Sequence, residues 1–269
     1  MLQPIDRRTF IADMGKGAFA LAVVSLAACS PGAGATARPS ASAAGSTPGP
    51  SGSEPPSESP AGGSAGGGVP PARDELTWQR VDLGFVSAYV LIRGGQAAIV
   101  DTGVSGSADA IEDGLAAIGA DWSAVSDVIL THKHGDHAGS LAEIMERAAD
   151  TAAWAGAEDI PFITAPREVN AVGDSETVFD LSIVTTPGHT PGSISVYDAG
   201  NGILIAGDAL RTEGGKPTNP SPQNSEDMDE ALRSVAKIGA LTFETLLVGH
   251  GAPIESGAGA AVAELAAGS

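Results

Sequence analysis

Residues 131–137 read Thr-His-Lys-His-Gly-Asp-His. Three of the chain's five histidines fall within six positions, with an aspartate among them. Imidazole nitrogen and carboxylate oxygen are the donors that zinc and its neighbours take. The apolar run Asp127–Leu130 comes just before and reads as a buried strand ending at Thr131. A helical pattern over Ser140–Ala149 follows. A chain that leaves a strand and turns into a helix can aim His132, His134, Asp136 and His137 at one locus.

The other two histidines sit in comparable places. His189 lies in Thr186-Pro187-Gly188-His189-Thr190-Pro191-Gly192-Ser193, between two strand-like runs. His250 lies in Val248-Gly249-His250-Gly251, and Asp208 in Ala206-Gly207-Asp208-Ala209, each just past an apolar strand. Glycine before a ligand lets the backbone turn sharply and approach a site. Taken together, all five histidines fall at expected strand ends.

Further out, Thr77–Leu83, Ser87–Ile92 and Ala97–Asp101 read as strands, with Gly94-Gly95 as a hairpin turn. A helix is expected over Ser107–Ile118. Strands follow near Val178–Thr185, Ser193–Tyr197 and Ile203–Ala206, the last two joined by a hairpin at 199–202. Ser225 reads as the N-cap of a helix running to about Ile238. Thr245–Val248 closes the strands, and Ser256–Ala267 is a small Ala-rich helix. Arg211–Asn224 reads as a polar loop. Hairpins mixed with strand–helix alternation predict an α/β fold with mixed sheets.

This domain is expected over 73–269, behind two segments of another kind. Residues 1–28 hold a basic start and an apolar run, Ala18–Ala28, too short to span a bilayer and typical of an export leader. Arg7-Arg8-Thr9-Phe10-Ile11 resembles a twin-arginine export signal. Leu26-Ala27-Ala28-Cys29 resembles the lipobox of bacterial lipoproteins, and Cys29 is the only cysteine in the chain. That resemblance implies a lipid anchor on Cys29 and an extracytoplasmic address on the outer face of a bacterial membrane. Gly, Pro, Ser and Ala fill nearly all of residues 30–72, so this stretch reads as a disordered tether with an r.m.s. span of about 35–40 Å. Arg7, Arg8 and Lys16 oppose Asp6 and Asp13 in the leader, and Arg38 opposes Glu54 and Glu58 in the tether. The net charge of −19 therefore belongs to the domain, which argues against nucleic acid as a partner.

The ordered set of motifs resembles the metallo-β-lactamase superfamily of binuclear metallohydrolases, over residues 76–255. The resemblance implies a four-layer αββα sandwich with the site at one edge of two sheets. It implies one metal on His132, His134 and His189, a second on Asp136, His137 and His250, and Asp208 bridging both. It gives Asp101, in Ile99-Val100-Asp101-Thr102-Gly103, the task of orienting the metal-binding loop. Two divalent ions, zinc first with iron or manganese as alternatives, would generate a bridging hydroxide that attacks a carbonyl. Asp136 is the candidate to orient that nucleophile and move a proton.

Departures from the family narrow the chemistry. The domain holds no cysteine, so the subclass with a cysteine ligand is excluded. Only residues 251–269 follow the last histidine, so the glutathione-binding extension of glyoxalase II-type enzymes is not expected. Homoserine lactonases carry a tyrosine shortly after the bridging aspartate; here the third residue on is Arg211. Arg211 is a candidate contact for a substrate carboxylate, and Lys133 has no assigned direction. The leading expectation is hydrolysis of a small ester, thioester or lactone. A β-lactam hydrolase, a mononuclear iron enzyme of the persulfide dioxygenase type and a metal-scavenging lipoprotein are the alternatives.

Overall fold

The computed structural model describes residues 75–268. The leader, Cys29 and the tether lie outside the described residues.

The first sheet opens with an antiparallel meander, β1 (Thr77–Asp82), β2 (Ser87–Arg93) and β3 (Gln96–Val100). Helix α1 (Ala108–Ala117) crosses over to β4 (Val125–Ile129), which lies parallel to β3. Helix α2 (Leu141–Arg147) leads to β5 (Ala152–Ala155), and β6 (Val169–Ala171) completes the parallel half. The second sheet holds β7 (Thr177–Val178), β8 (Leu181–Thr185), β9 (Ile194–Asp198) and β10 (Ile203–Ile205) as antiparallel neighbours. A separate hairpin, β11 (Arg211–Glu213) and β12 (Lys216–Thr218), precedes α3 (Met228–Gly239). Then β13 (Thr245–Leu247) joins β10 in parallel, and α4 (Ala258–Ala267) ends the fold.

Side-chain alternation along the strands sorts the core into three apolar layers. Ala88 and Val90 of β2, with Ala97 and Ile99 of β3, pack against Ile111 and Leu115 of α1 and Leu141 and Ile144 of α2. The alternate residues Tyr89, Leu91, Ala98 and Val100 face the other sheet and meet Ile183, Val196, Ile205 and Leu247. On the far face, Leu204, Leu246 and Val248 pack against Val235 and Ile238 of α3 and Val262 of α4. Three apolar layers separate four structural ones, which is the αββα sandwich.

The topology explains why the motifs converge. Strands β3 and β4 run parallel, so both end at the same rim. Strands β8, β10 and β13 also point one way, because two antiparallel steps restore direction and β13 is parallel to β10. Backbone bonds from Ile194 N–H to Thr131 O (2.8 Å) and from Ser87 N–H to Gly249 O (2.9 Å) hold the two sheets together at that rim. Every candidate ligand follows the C-terminal end of one of β4, β8, β10 and β13.

Three expectations need correction, and two strands go unannounced in the sequence. Helix α3 is capped by Asp227, whose carboxylate accepts from Glu230 N–H at 2.9 Å; Ser225 instead donates to Ser221 O at 2.8 Å. The run Val178–Thr185 is broken at Phe179 and Asp180, both at positive φ, which turn β7 into β8. The polar loop after Leu210 begins with a hairpin. Strands β5 and β6 carry no periodic signal; Ala-Ala-Trp-Ala and Val-Asn-Ala are too short and poor in β-branched residues to announce themselves.

Candidate metal centre

At the rim the backbone leaves β4 and places three imidazoles and a carboxylate within one turn. His132 Nε2 and His189 Nε2 each stand 3.0 Å from His134 Nδ1. Their three rings are mutually edge-on. Beside them His250 Nε2 lies 3.4 Å from His137 Nε2 and 3.3 Å from Asp136 Oδ2. Thus His132, His134 and His189 form one donor group that could hold a metal ion, and Asp136, His137 and His250 form a second.

Asp208 stands between them. Its Oδ2 is 3.5 Å from His189 Nε2 and 3.2 Å from His250 Nε2, and its Oδ1 faces His137 Nε2 at 3.4 Å. That Oδ1 is buried with no hydrogen-bond partner. Gly249 makes the approach possible: a Cβ there would lie 2.4 Å from His137 Cε1 and 2.5 Å from Asp208 Oδ1.

The outer nitrogens of four of the five rings are anchored, which fixes the inner ones for ligation. His137 Nδ1 pairs with Asp101 Oδ2 at 2.8 Å, and His250 Nδ1 with Phe85 O at 2.7 Å. His132 Nδ1 is 3.1 Å from Thr131 Oγ1, and His189 Nδ1 is 3.3 Å from Ser225 Oγ. Asp101 also accepts from Thr131 N–H at 2.7 Å and from the Thr131 hydroxyl, tying the end of β3 to the start of the metal loop. Its backbone is left-handed, with φ of 61°, a conformation aspartate tolerates better than most residues.

The electrostatics divide the cluster. Burial, then repulsion from neighbouring imidazoles, drives His132 well below its ordinary pKa. Burial likewise takes His189 down to about 4, so both rings offer lone pairs near neutral pH. His250 is raised to about 10 by its bonds to Asp136 and Asp208. Burial opposes charge on His137, but Asp101, Asp208 and Asp136 outweigh it and leave its pKa raised. Asp136 is lowered to about 2, chiefly through His250. An ion entering the second group therefore competes with a proton on His250.

Asp136, Asp208, His134, His189 and His250 line a cavity of about 470 Å³ with Phe85, Gly135 and Asn224. Phe85 is exposed and stacks on His250. Phe85 and Asn224 are pocket residues that the sequence does not announce; neither belongs to a motif. Arg211 sits exposed on β11 and is not among the lining residues. Lys133 is mostly buried and is not among the lining residues; its Nζ lies 2.8 Å from Glu226 Oε1.

A model of the metallo-beta-lactamase superfamily matches residues 81–250, the span that carries every one of these motifs. The chain belongs to that superfamily. A metallo-beta-lactamase family protein from Thermus thermophilus has the same fold, with a TM-score of 0.59 over 72% of this chain and 78% of that one, at 23% identity. The probable metallo-hydrolase YflN of Bacillus subtilis is 28% identical over 200 residues, 58% of this chain and 75% of the relative. The hydroxyacylglutathione hydrolase of Ectopseudomonas mendocina is 32% identical over 127 residues, but these cover 45% of this chain and only 46% of that enzyme. Metallohydrolase membership and the His/Asp groups agree: the donors are nitrogen and oxygen, and a buried carboxylate oxygen between them lacks a partner. These residues fit divalent metal.

Proposed function

We propose that this metallo-beta-lactamase superfamily member is a binuclear hydrolase of small esters, thioesters or lactones. The observation that carries the reading is Asp208, a buried carboxylate standing between two three-donor groups with one oxygen unpaired. His132, His134 and His189 would hold one ion and Asp136, His137 and His250 the other, with Asp208 shared. When bound, such ions polarise a carbonyl and acidify water near neutral pH.

The chain's own residues do the rest. Asp101 and the Phe85 carbonyl orient His137 and His250, so their Nε2 atoms stay aimed inward. Asp136, at the cavity wall and ionised above about pH 2, accepts and passes on a proton from an attacking water. Phe85 offers an apolar face to the substrate, and Asn224 offers an amide. No Lys or Arg is among the described lining residues, which favours neutral acyl compounds over substrates that need a carboxylate clamp. The match to a hydroxyacylglutathione hydrolase keeps thioesters in the set.

Metal analysis of the full-length chain comes first, then ester, thioester, lactone and β-lactam substrates with and without chelator. Chelator-sensitive ester, thioester or lactone turnover, lost in His134→Ala, is expected. Preferential nitrocefin or carbapenem turnover would replace this reading with a β-lactamase, and oxygen uptake by an iron-loaded sample with a dioxygenase. We further propose export as a lipoprotein anchored through Cys29, on the motifs at Arg7-Arg8 and Leu26–Cys29. Fatty-acid labelling that persists in Cys29→Ser would overturn that part.

A further inference from the structure

We propose that Asp159 is a positioning residue for the His132/His134/His189 group. The inference rests on the metal-binding reading above. Asp159 follows β5, belongs to none of the ligand motifs, and is fully buried. Its Oδ2 accepts the Lys133 N–H at 2.9 Å and the Thr190 hydroxyl at 2.6 Å. Its Oδ1 accepts the Gly192 N–H at 3.0 Å, with Lys133 Nζ at 3.9 Å. Lys133 is the residue between His132 and His134, and Thr190 is the residue after His189. One carboxylate thus ties together the two loops that supply all three ligands.

The contact is tight on the loop side: a Cβ on Gly192 would lie 2.6 Å from Asp159 N and 2.7 Å from its Cγ. A second strap runs in parallel. Lys133 Nζ, 4.3 Å from the Phe162 ring centre, pairs with Glu226 Oε1, and Glu226 N–H donates to His189 O at 3.1 Å. The other donor group has different supports: Asp101 on His137 and Phe85 O on His250. Asp159 makes no hydrogen bond or ion pair to Asp136, His137 or His250. Loss of Asp159 should therefore loosen one metal position and spare the other.

The test titrates the metal-free full-length chain with Co(II), read by visible absorption, and with Zn(II), read against a colorimetric chelator. Asp159→Ala is expected to weaken one binding phase by about 10–100-fold, in line with other supports behind metal ligands, and leave the other within about twofold. The Co(II) spectrum of the weakened phase should shift. Asp159→Asn keeps the size but turns a donor toward one set of partners, so it should fall between. Should Asp159→Ala fail to fold, Thr190→Val removes the hydroxyl's bonds to Asp159 and to Ser193 Oγ while keeping the Asp159 carboxylate, and should weaken the same phase by about threefold. Both phases unchanged, or both falling together with thermal stability, would overturn the inference while leaving the metal reading intact. If the wild type binds a single ion, unchanged affinity in Asp159→Ala overturns it. A wild type that binds neither metal overturns both.

Discussion

Two buried aspartates at opposite rims of the sandwich, Asp198 and Asp208, are in opposite states. At the rim away from the ligands, Asp198 ends β9 and is 4% exposed. Its oxygens take Arg93 Nη2, the N–H groups of Gly200 and Asn201, and Asn201 Nδ2. Arg93 also donates to Phe179 O and Asp180 O, so one guanidinium joins β2 to both turns of the second sheet, with only its Nε unpaired. At the ligand rim, Asp208 is 6% exposed, and its Oδ1 has no donor. Burying a carboxylate is costly unless its lone pairs are met. Asp198 is met by the fold. Asp208 is left for something the fold lacks, which is why position in a sheet says less about function than the tally of partners does.

The comparison breaks most sharply at Asp208. Asp208→Ala is expected to lower metal content and hydrolytic activity together, activity by well over 100-fold, since even residues behind the ligands are worth 10–100-fold. Thermal unfolding of the metal-free variant should fall only by the worth of the His250 Nε2–Asp208 Oδ2 bond, about 1 kcal/mol, so that the loss of metal is read against a small change. Unchanged metal stoichiometry by elemental analysis would count against the shared position of Asp208.

Arg93→Ala is the converse. It strands Asp198 in the core and should cost about 3–5 kcal/mol in denaturant unfolding. The folded fraction should keep its metal stoichiometry, since no ligand touches that rim. Loss of metal from folded Arg93→Ala would show that the two rims are coupled.

Tyr89 extends the contrast to pH. It lies between the sheets, donates to Val248 O at 2.8 Å and accepts Val248 N–H at 3.1 Å. Burial raises its pKa to about 12, against about 10 for an exposed phenol. The folded value is the higher one, so the stability it gives is full below pH 10 and declines as pH rises through 12. Two pH units correspond to about 2–3 kcal/mol. Tyr89→Phe should remove that alkaline decline in a series of unfolding curves taken from pH 9 to 12.

Much of this molecule is legible because its chemistry is written in local pattern. Three histidines and an aspartate in six residues, glycines before ligands and period-two apolar strands are all features a short window contains. What stays hidden depends on distant partners. Asp159 looks like any loop aspartate until Lys133, Thr190 and Gly192 close around it. Phe85 and Asn224 reach the cavity only because the β1–β2 turn and the segment before α3 fold over the rim. Arg211 looks promising from its place after Asp208, yet the β11–β12 hairpin holds it in solvent. Ser225 resembles a cap because caps are read from residue type, and Asp227 wins through its extended backbone and its bond to Glu230.

The mildest test separates location from state. Asp227 lies at the ligand rim, and its N–H donates to Gly188 O, next to His189. By position alone it belongs with Asp208. By partners it belongs with Asp198, because its carboxylate caps α3 through Glu230 N–H. Asp227→Ala should cost about 1 kcal/mol of stability, the usual worth of an N-cap. Metal content should not change, since the backbone bond to Gly188 survives the substitution. A loss of metal larger than the loss of stability would mean that the cap, and not only the ligands, sets the His189 loop. That outcome would move Asp227 into the machinery that Asp159 and Glu226 already brace from the other side.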